Sequence, residues 1–307
     1  MINLKKLKTF IDKYEEGKPP NSVKIYFSRK MPSKYSSHLP SASNEVQQSI
    51  VATVLPYVKA QVLNNSMVEY NAIGVADGEI EKMKTNQIPM IQEFYNSISD
   101  EQVYKDMESL KIDKIGFYCI SLVCDDQNLM LFRQFQKLKK LRKGFLACIM
   151  HNELTAMETD FLGVDETVDM AIFEDNVYIL NHVSLERIFE YKDEFLKKTN
   201  EALGEILSRN IIANIEQFAD DCLHDIRIAK RFTNIMSKGR LPLFFDNYDR
   251  VQEIVSELDL DIDFDDDGRL VYRERSQLFH IISLFSDSYF KSLLAQRTGI
   301  AKIEAEL

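Results

Sequence analysis

Val168–Tyr191, VDMAIFEDNVYILNHVSLERIFEY, decides the fold class. Val168, Met170 and Ile172, then Val177 and Ile179, recur at every second position, the spacing of a half-buried strand pair. Glu174-Asp175-Asn176 supplies turn chemistry between them. Ser184 then reads as the cap of a helix carrying Leu185, Ile188 and Phe189 on one side, with Glu186 near its positive end. An antiparallel hairpin feeding directly into a helix points to an α+β chain.

Working outward, the segments before this block read mostly as sheet. A helix over 4–14 and a strand over 23–28 open the chain. The polar stretch 31–43, with Pro32, Pro40 and several serines, reads as a loop. A helix over 45–63 contains Pro56, which predicts a kink, and a strand near 68–75 and a helix over 100–110 follow. Strands at 115–124 and 129–135 flank Asp125-Asp126-Gln127-Asn128, a second hairpin signal, and 144–151 adds another strand. After Ser184 the period becomes helical. Leu203, Leu207, Ile211, Ile215, Phe218 and Cys222 fit one long helix or a broken pair, and Asp225–Ser237 fits another helix ended by Gly239 and Pro242. The expected architecture is a largely antiparallel sheet with flanking helices in residues 1–183. A mainly helical region over 184–307, with a β-hairpin near 260–273, packs with it.

Composition sets outer limits. With 307 residues and 45% hydrophobic content, the chain can bury a substantial core. No apolar run reaches membrane-spanning length, so any membrane association is expected to come through a partner, without direct insertion. Cys119, Cys124, Cys148 and Cys222 form no C-x-x-C pair and suggest reduced thiols, hence a cytoplasmic protein without a zinc site or disulfide framework. A net charge of −10 argues against a uniformly basic surface but permits a local basic groove.

The opening block, together with a second one at Leu278–Leu294, LFHIISLFSDSYFKSLL, resembles the KwaB family of the Kiwa anti-phage defence system. In that second block a helix leads through Asp287-Ser288-Tyr289 into a further helical segment. The resemblance implies a homodimeric DNA-binding effector that works beside a membrane-embedded KwaA-like partner, held at the inner face of the membrane.

Two basic features fit that expectation. Lys137, Lys139, Lys140, Arg142 and Lys143 place five cations within seven residues, enough to neutralise several phosphates without reading bases. On the helix over 225–237, Arg227, Arg231 and Lys238 form a stripe through Asn234, with Lys230 and Arg240 beside it. Solvated surface is the plainer reading of either feature alone. The expected DNA contacts are Lys137, Lys139, Lys140, Arg142, Lys143, Arg227, Lys230 and Arg231.

Signals for chemistry are weaker. Asp263, Asp265, Asp267, Gly268 and Glu274 match the spacing of a calcium-binding EF-hand loop. The same residues also read as a hairpin, because Leu260, Ile262 and Phe264 alternate into Asp267-Gly268 and Leu270 and Tyr272 alternate out, and this reading is preferred. A metal-dependent nuclease is the alternative function. Its E-x-K candidates, Glu16–Lys18 and Glu190–Lys192, lie in or beside helices, and Asp160, Asp165, Glu166 and Asp169 read as a loop leading into the hairpin. The five histidines show no metal-ligand spacing. No catalytic residue, metal ligand or cofactor is assigned.

Overall fold

The computed structural model describes residues 2–15, 22–107, 109–135, 147–150, 153–156, 163–292, 294 and 297–301. These divide into two compact units, residues 1–69 with 78–189, and residues 70–77 with 190–307.

The first unit contains α1 (Ile2–Glu15), β1 (Ser22–Met31), β2 (Lys34–His38), α2 (Asn44–Asn64), β3 (Ser66–Glu69), β4 (Glu79–Lys84), α3 (Ile91–Ser97), β5 (Phe117–Cys124), β6 (Gln127–Gln134), β7 (Ala147–Met150), β8 (Glu153–Ala156), β9 (Met170–Phe173), β10 (Asn176–Ile179) and α4 (His182–Phe189). Eight strands form one sheet in the order β2-β1-β5-β6-β9-β10-β4-β3, and β7 pairs with β8 separately. Every neighbour in the large sheet is antiparallel except the β3–β4 pair. The chain is α+β, as its alternating pattern indicates.

The strands of the opening block are buried more completely than a half-buried pair. All four residues of β9 are buried, and only Asn176 of β10 is not. Their position inside the sheet explains this, since helices cover both faces. Leu7, Phe10 and Ile11 of α1 join Val51, Val54 and Val58 of α2 over Ile120, Leu131, Ala171 and Phe173. On the other face Tyr35, Phe94, Phe117, Phe132 and Phe189 form a set of tilted and edge-on rings with centroids 5.0–6.5 Å apart.

Both expected hairpins are tighter than the sequence suggests. Cys124 pairs with Gln127 and Phe173 with Asn176, leaving the two-residue loops Asp125-Asp126 and Glu174-Asp175. Asp125 and Glu174 occupy the left-handed region at φ 54° and 52°. Helix α1 holds both turns, with Lys13 Nζ 2.9 Å from Asp125 Oδ2 and Lys6 Nζ 2.9 Å from Glu174 Oε1. Seven helical residues rise about 10 Å, close to the width of two strand spacings, so one helix reaches both turns.

Three sequence expectations need correction here. The polar segment 31–43 contains strand β2, in which Tyr35 and Ser37 find partners once buried. Ser37 Oγ lies 2.8 Å from Ser28 Oγ and 2.7 Å from Ser97 Oγ, and Tyr35 Oη donates to the Ile188 carbonyl at 2.7 Å. The helix expected over 100–110 is absent among the described residues there. Instead Tyr104 donates its N–H to Ser37 O and accepts from Leu39 N, each at 2.9 Å, which partly covers the β2 edge. Finally, α4 begins at His182, and its capping oxygen comes from Asn181, whose Oδ1 accepts from Ser184 N at 3.2 Å. Ser184 is buried one turn inside.

Two buried polar groups tie this unit together. Asp169, fully buried, accepts from Arg133 Nη1 at 2.9 Å and from Gln134 N at 2.6 Å. Its backbone N–H donates to Phe132 O, and its carbonyl accepts from Leu180 N and Asn181 N. Nearby, His182 Nδ1 lies 2.7 Å from Glu81 Oε2, and its Nε2 lies 2.7 Å from Glu186 Oε1. Burial disfavours the imidazolium, but hydrogen bonds to Glu186 and Glu81 outweigh it and raise the His182 pKa to about 9.

The second unit contains α5 (Tyr191–Arg209), β11 (Ile212–Ala213), α6 (Ile215–Leu223), α7 (Ile226–Ser237), α8 (Arg240–Asp246), α9 (Val251–Glu257), β12 (Asp263–Phe264), β13 (Leu270–Val271), α10 (Arg275–Phe285), β14 (Tyr289–Lys291) and β15 (Thr298–Ile300). The helical period over 203–222 proves to be a broken pair. Asn210 and Asn214 adopt left-handed conformations, and between them Ile212–Ala213 pairs with Leu270–Val271. Phe218, Phe232, Phe244, Tyr272 and Phe285 lie in the core of this unit. The expected helical continuation after Ser288 is a strand pair, β14–β15, entered through Asp287 at φ 51°.

Replacing Asp169 by Asn removes a charge that compensates buried Arg133, and should cost about 3–5 kcal/mol in urea unfolding. The His182 cluster sets an alkaline limit. Because its folded pKa lies above the ordinary 6.5, its stabilisation is complete below pH 6.5 and is lost as pH rises through about 9. Thermal unfolding between pH 6 and about 9.5 should show a steeper loss of Tm in the native protein than in His182→Gln.

Candidate nucleic-acid interface

The sequence-predicted cations do not share one fate. Lys137, Lys139, Lys140, Arg142 and Lys143 lie outside the described residues. Those on α7 are described, and they are organised by Asp225.

Asp225 precedes α7 in an extended conformation and caps it, its Oδ1 accepting from Arg227 N at 3.0 Å. The same carboxylate accepts from Arg227 Nε at 3.1 Å and Nη2 at 2.8 Å. It also accepts from Arg275 Nη2 at 2.9 Å, so the first residue of α10 joins the start of α7. The Asp225 side chain is 8% exposed, whereas those of Arg227 and Arg275 are 82% and 58% exposed. Hydrogen bonds from Arg227 hold the Asp225 carboxyl well below the usual carboxylate range; burial opposes them and Arg275 adds to them. Each guanidinium has five N–H donors, so this pairing leaves donors on both for a further oxyanion.

One turn further along both helices, Arg231 places its guanidinium carbon 4.6 Å from the centroid of the Phe279 ring. Arg227 and Arg231 are four apart on α7, and Arg275 and Phe279 are four apart on α10, so the two contacts stack along one seam. Burial lowers the Arg231 pKa, yet a guanidinium remains charged at any physiological pH. Phe279 stays 39% exposed. Three arginines gather here around the one carboxylate of Asp225, with Glu274 at the start of α10 and Asp221 beside Tyr272 as the neighbouring acids. Lys230 is directed elsewhere on α7, its Nζ 5.6 Å from the centroid of the Phe195 ring.

The stripe does not continue as the helical spacing suggests. Asn234 is buried at 7% exposure, and Arg240 lies 3.9 Å from Asp287. Sequence reasoning missed Arg275, Phe279 and the bridging role of Asp225. The (i, i+4) spacing of Arg275 and Phe279 was a visible signal, but nothing local showed that α10 lies beside α7.

Of the carboxylates over 263–274, Asp263, Asp265 and Asp267 are engaged by arginines, and Glu274 accepts from Ser276 Oγ. Asp265 accepts from Asp267 N, Arg269 N and Arg269 Nε, Arg269 also pairs with Asp267, and Arg273 closes on Asp263. The segment forms the β12–β13 hairpin, turned at Gly268 with φ 75°. The preferred hairpin reading is therefore the observed one. Among the described residues, no group of three or more His, Cys, Asp and Glu is placed to hold a metal ion.

The described residues thus define an α+β chain with an antiparallel sheet unit and a largely helical unit bearing an arginine-rich seam, and none of their helices is long and apolar enough to cross a membrane. A family model described as Kiwa protein KwaB-like matches residues 112–295, more than half the chain. The chain belongs to the KwaB-like family, which places it among the components of Kiwa anti-phage defence. No curated protein and no solved structure matches it.

Replacing Arg227 and Arg275 together by Gln removes both counter-ions of Asp225. The stabilisation carried by a depressed carboxyl is present above its unfolded pKa and is lost as pH falls through the folded one. The double variant should therefore acid-unfold at a higher pH than the native protein, as followed by circular dichroism.

Proposed function

We propose that this protein is a non-catalytic, DNA-binding effector of Kiwa defence. Positive charge gathered on a few surfaces of an acidic chain can contact phosphates without reading sequence, because a guanidinium recognises oxyanions and not bases when it faces the backbone. The observation that carries the reading is the Asp225-centred seam, where Arg227 and Arg275 present outward donors beside Arg231. The basic run Lys137, Lys139, Lys140, Arg142 and Lys143 supplies a second set of phosphate contacts, and Lys230 a flanking one.

In this reading the protein acts as a homodimer in the cytoplasm. A membrane-embedded KwaA-like partner holds it at the inner face of the membrane, consistent with membership of a Kiwa family. Occupying an incoming genome blocks its use by bulk and charge, so no bond need be cut.

Fluorescence anisotropy with a labelled duplex, across several salt concentrations and with or without magnesium, tests this. Native protein should show a linear fall of log affinity with log salt, and intact DNA on a denaturing gel. Arg227→Gln with Arg275→Gln should flatten that slope by up to about 2, and neutralising the five cations of 137–143 by up to about 4–5. Magnesium-dependent cleavage would replace the reading with a nuclease. An unchanged slope in both folded variants would remove these residues from the DNA surface.

A further inference from the structure

Phe279 is an aromatic ring left in a polar surface. The packing of α10 is carried by Leu278, Ile281, Ile282 and Phe285, which enter the core of the second unit. Phe279 stands apart from them, and 39% of it remains exposed. Arg231 of α7 covers one face of the ring, its guanidinium carbon 4.6 Å from the centroid. The rest of the exposed ring is apolar surface that folding has not removed from water.

Charges around the ring are closely matched. Arg227, Arg231 and Arg275 stand with the carboxylate of Asp225. Glu274, which accepts from Ser276 Oγ, and Asp221, which accepts from Tyr272 Oη at 2.7 Å, are the neighbouring acids. A seam balanced in this way attracts a phosphate weakly from a distance, so what it holds is decided by contacts at close range. Two kinds are on offer. Arg227 and Arg275 keep N–H donors beyond those given to Asp225, and these suit phosphate oxygens. One helical turn along α10, about 6 Å from Arg275, Phe279 offers a surface on which a flat apolar group can stack. Phosphate donors and an aromatic platform at that spacing suit the two ends of a nucleotide.

Base pairing decides whether a base can reach the ring. In a duplex each base face is covered by its stacked neighbours, and a protein meets only base edges and backbone. An unpaired nucleotide exposes its faces, and every base has one to offer. We propose that the seam takes unpaired DNA, with a phosphate held by Arg227 and Arg275 and the adjoining base stacked on Phe279. This inference rests on the DNA-binding reading above and adds to it a preference for single strands. The stacking contact releases no counter-ions, so its contribution is independent of salt, unlike that of the arginines.

Fluorescence anisotropy with the full chain tests it on three labelled DNAs of equal length: a thymine single strand, an abasic single strand with the same phosphates, and a duplex. Native protein should bind the thymine strand about tenfold tighter than the abasic one, a comparison that needs no variant. Phe279→Ala should weaken binding of the thymine strand about tenfold at every salt concentration, with the salt slope unchanged. It should leave the abasic strand and the duplex as they were, and Phe279→Tyr should keep the native preference. Equal affinity of native protein for thymine and abasic strands overturns the inference while leaving DNA binding in place. So does a preference that persists in folded Phe279→Ala, and so does an equal loss on strand and duplex, because a duplex offers the ring no base face. Absence of binding to all three DNAs overturns the DNA-binding reading itself, and this inference with it.

Discussion

The sheet unit depends on the carboxylate of Asp169. It has no solvent, so its charge is matched inside the protein by Arg133 and by the Gln134 N–H. Its backbone meanwhile bonds to Phe132, Leu180 and Asn181. One residue therefore joins the end of β6, the approach to β9 and the exit of β10 into α4. In a medium of low effective dielectric such a group is strongly stabilised by its partners and strongly penalised without them. It also disfavours a one-residue slip of the hairpin, which would carry the carboxylate to the opposite face of the sheet.

A comparable logic operates at the arginine seam with the charges reversed in number. Asp225 is one buried acceptor serving a helix N-terminus and two guanidinium groups. Because those side chains remain largely exposed, the carboxylate orients them without quenching them. Arg231 is oriented differently, by the face of Phe279. Orientation limits the conformational entropy that long basic side chains would otherwise lose on meeting a phosphate. Acidic overall composition and a basic local surface are compatible because charge is arranged by individual pairings, as also seen where Arg269 and Arg273 neutralise the aspartates of the β12–β13 hairpin.

Local chemistry made much of the fold legible. Period-two alternation placed β9 and β10, an apolar run and a hairpin signal placed β5 and β6, and acidic residues marked both turns. Helical periodicity placed α7 and left open the break that Asn210 and Asn214 impose between α5 and α6. Where local signals misled, a distant partner had changed the cost of burial. Serines at 36 and 37 read as loop residues, yet Ser37 lies inside a hydroxyl network with Ser28 and Ser97. Residues 100–110 read as a helix, yet part of that segment pairs with β2.

The candidate surfaces divide in the same way. The sequence by itself determined that cations recur at helical spacing on α7 and crowd residues 137–143, because side-chain type and helical pitch are local properties. Tertiary structure alone decided that Arg275 joins Arg227 on one carboxylate, that Asn234 is buried within the expected stripe, and that Phe279 lies against Arg231. These outcomes depend on which distant element removes a group from water and offers it a partner. Periodicity carries no record of that choice.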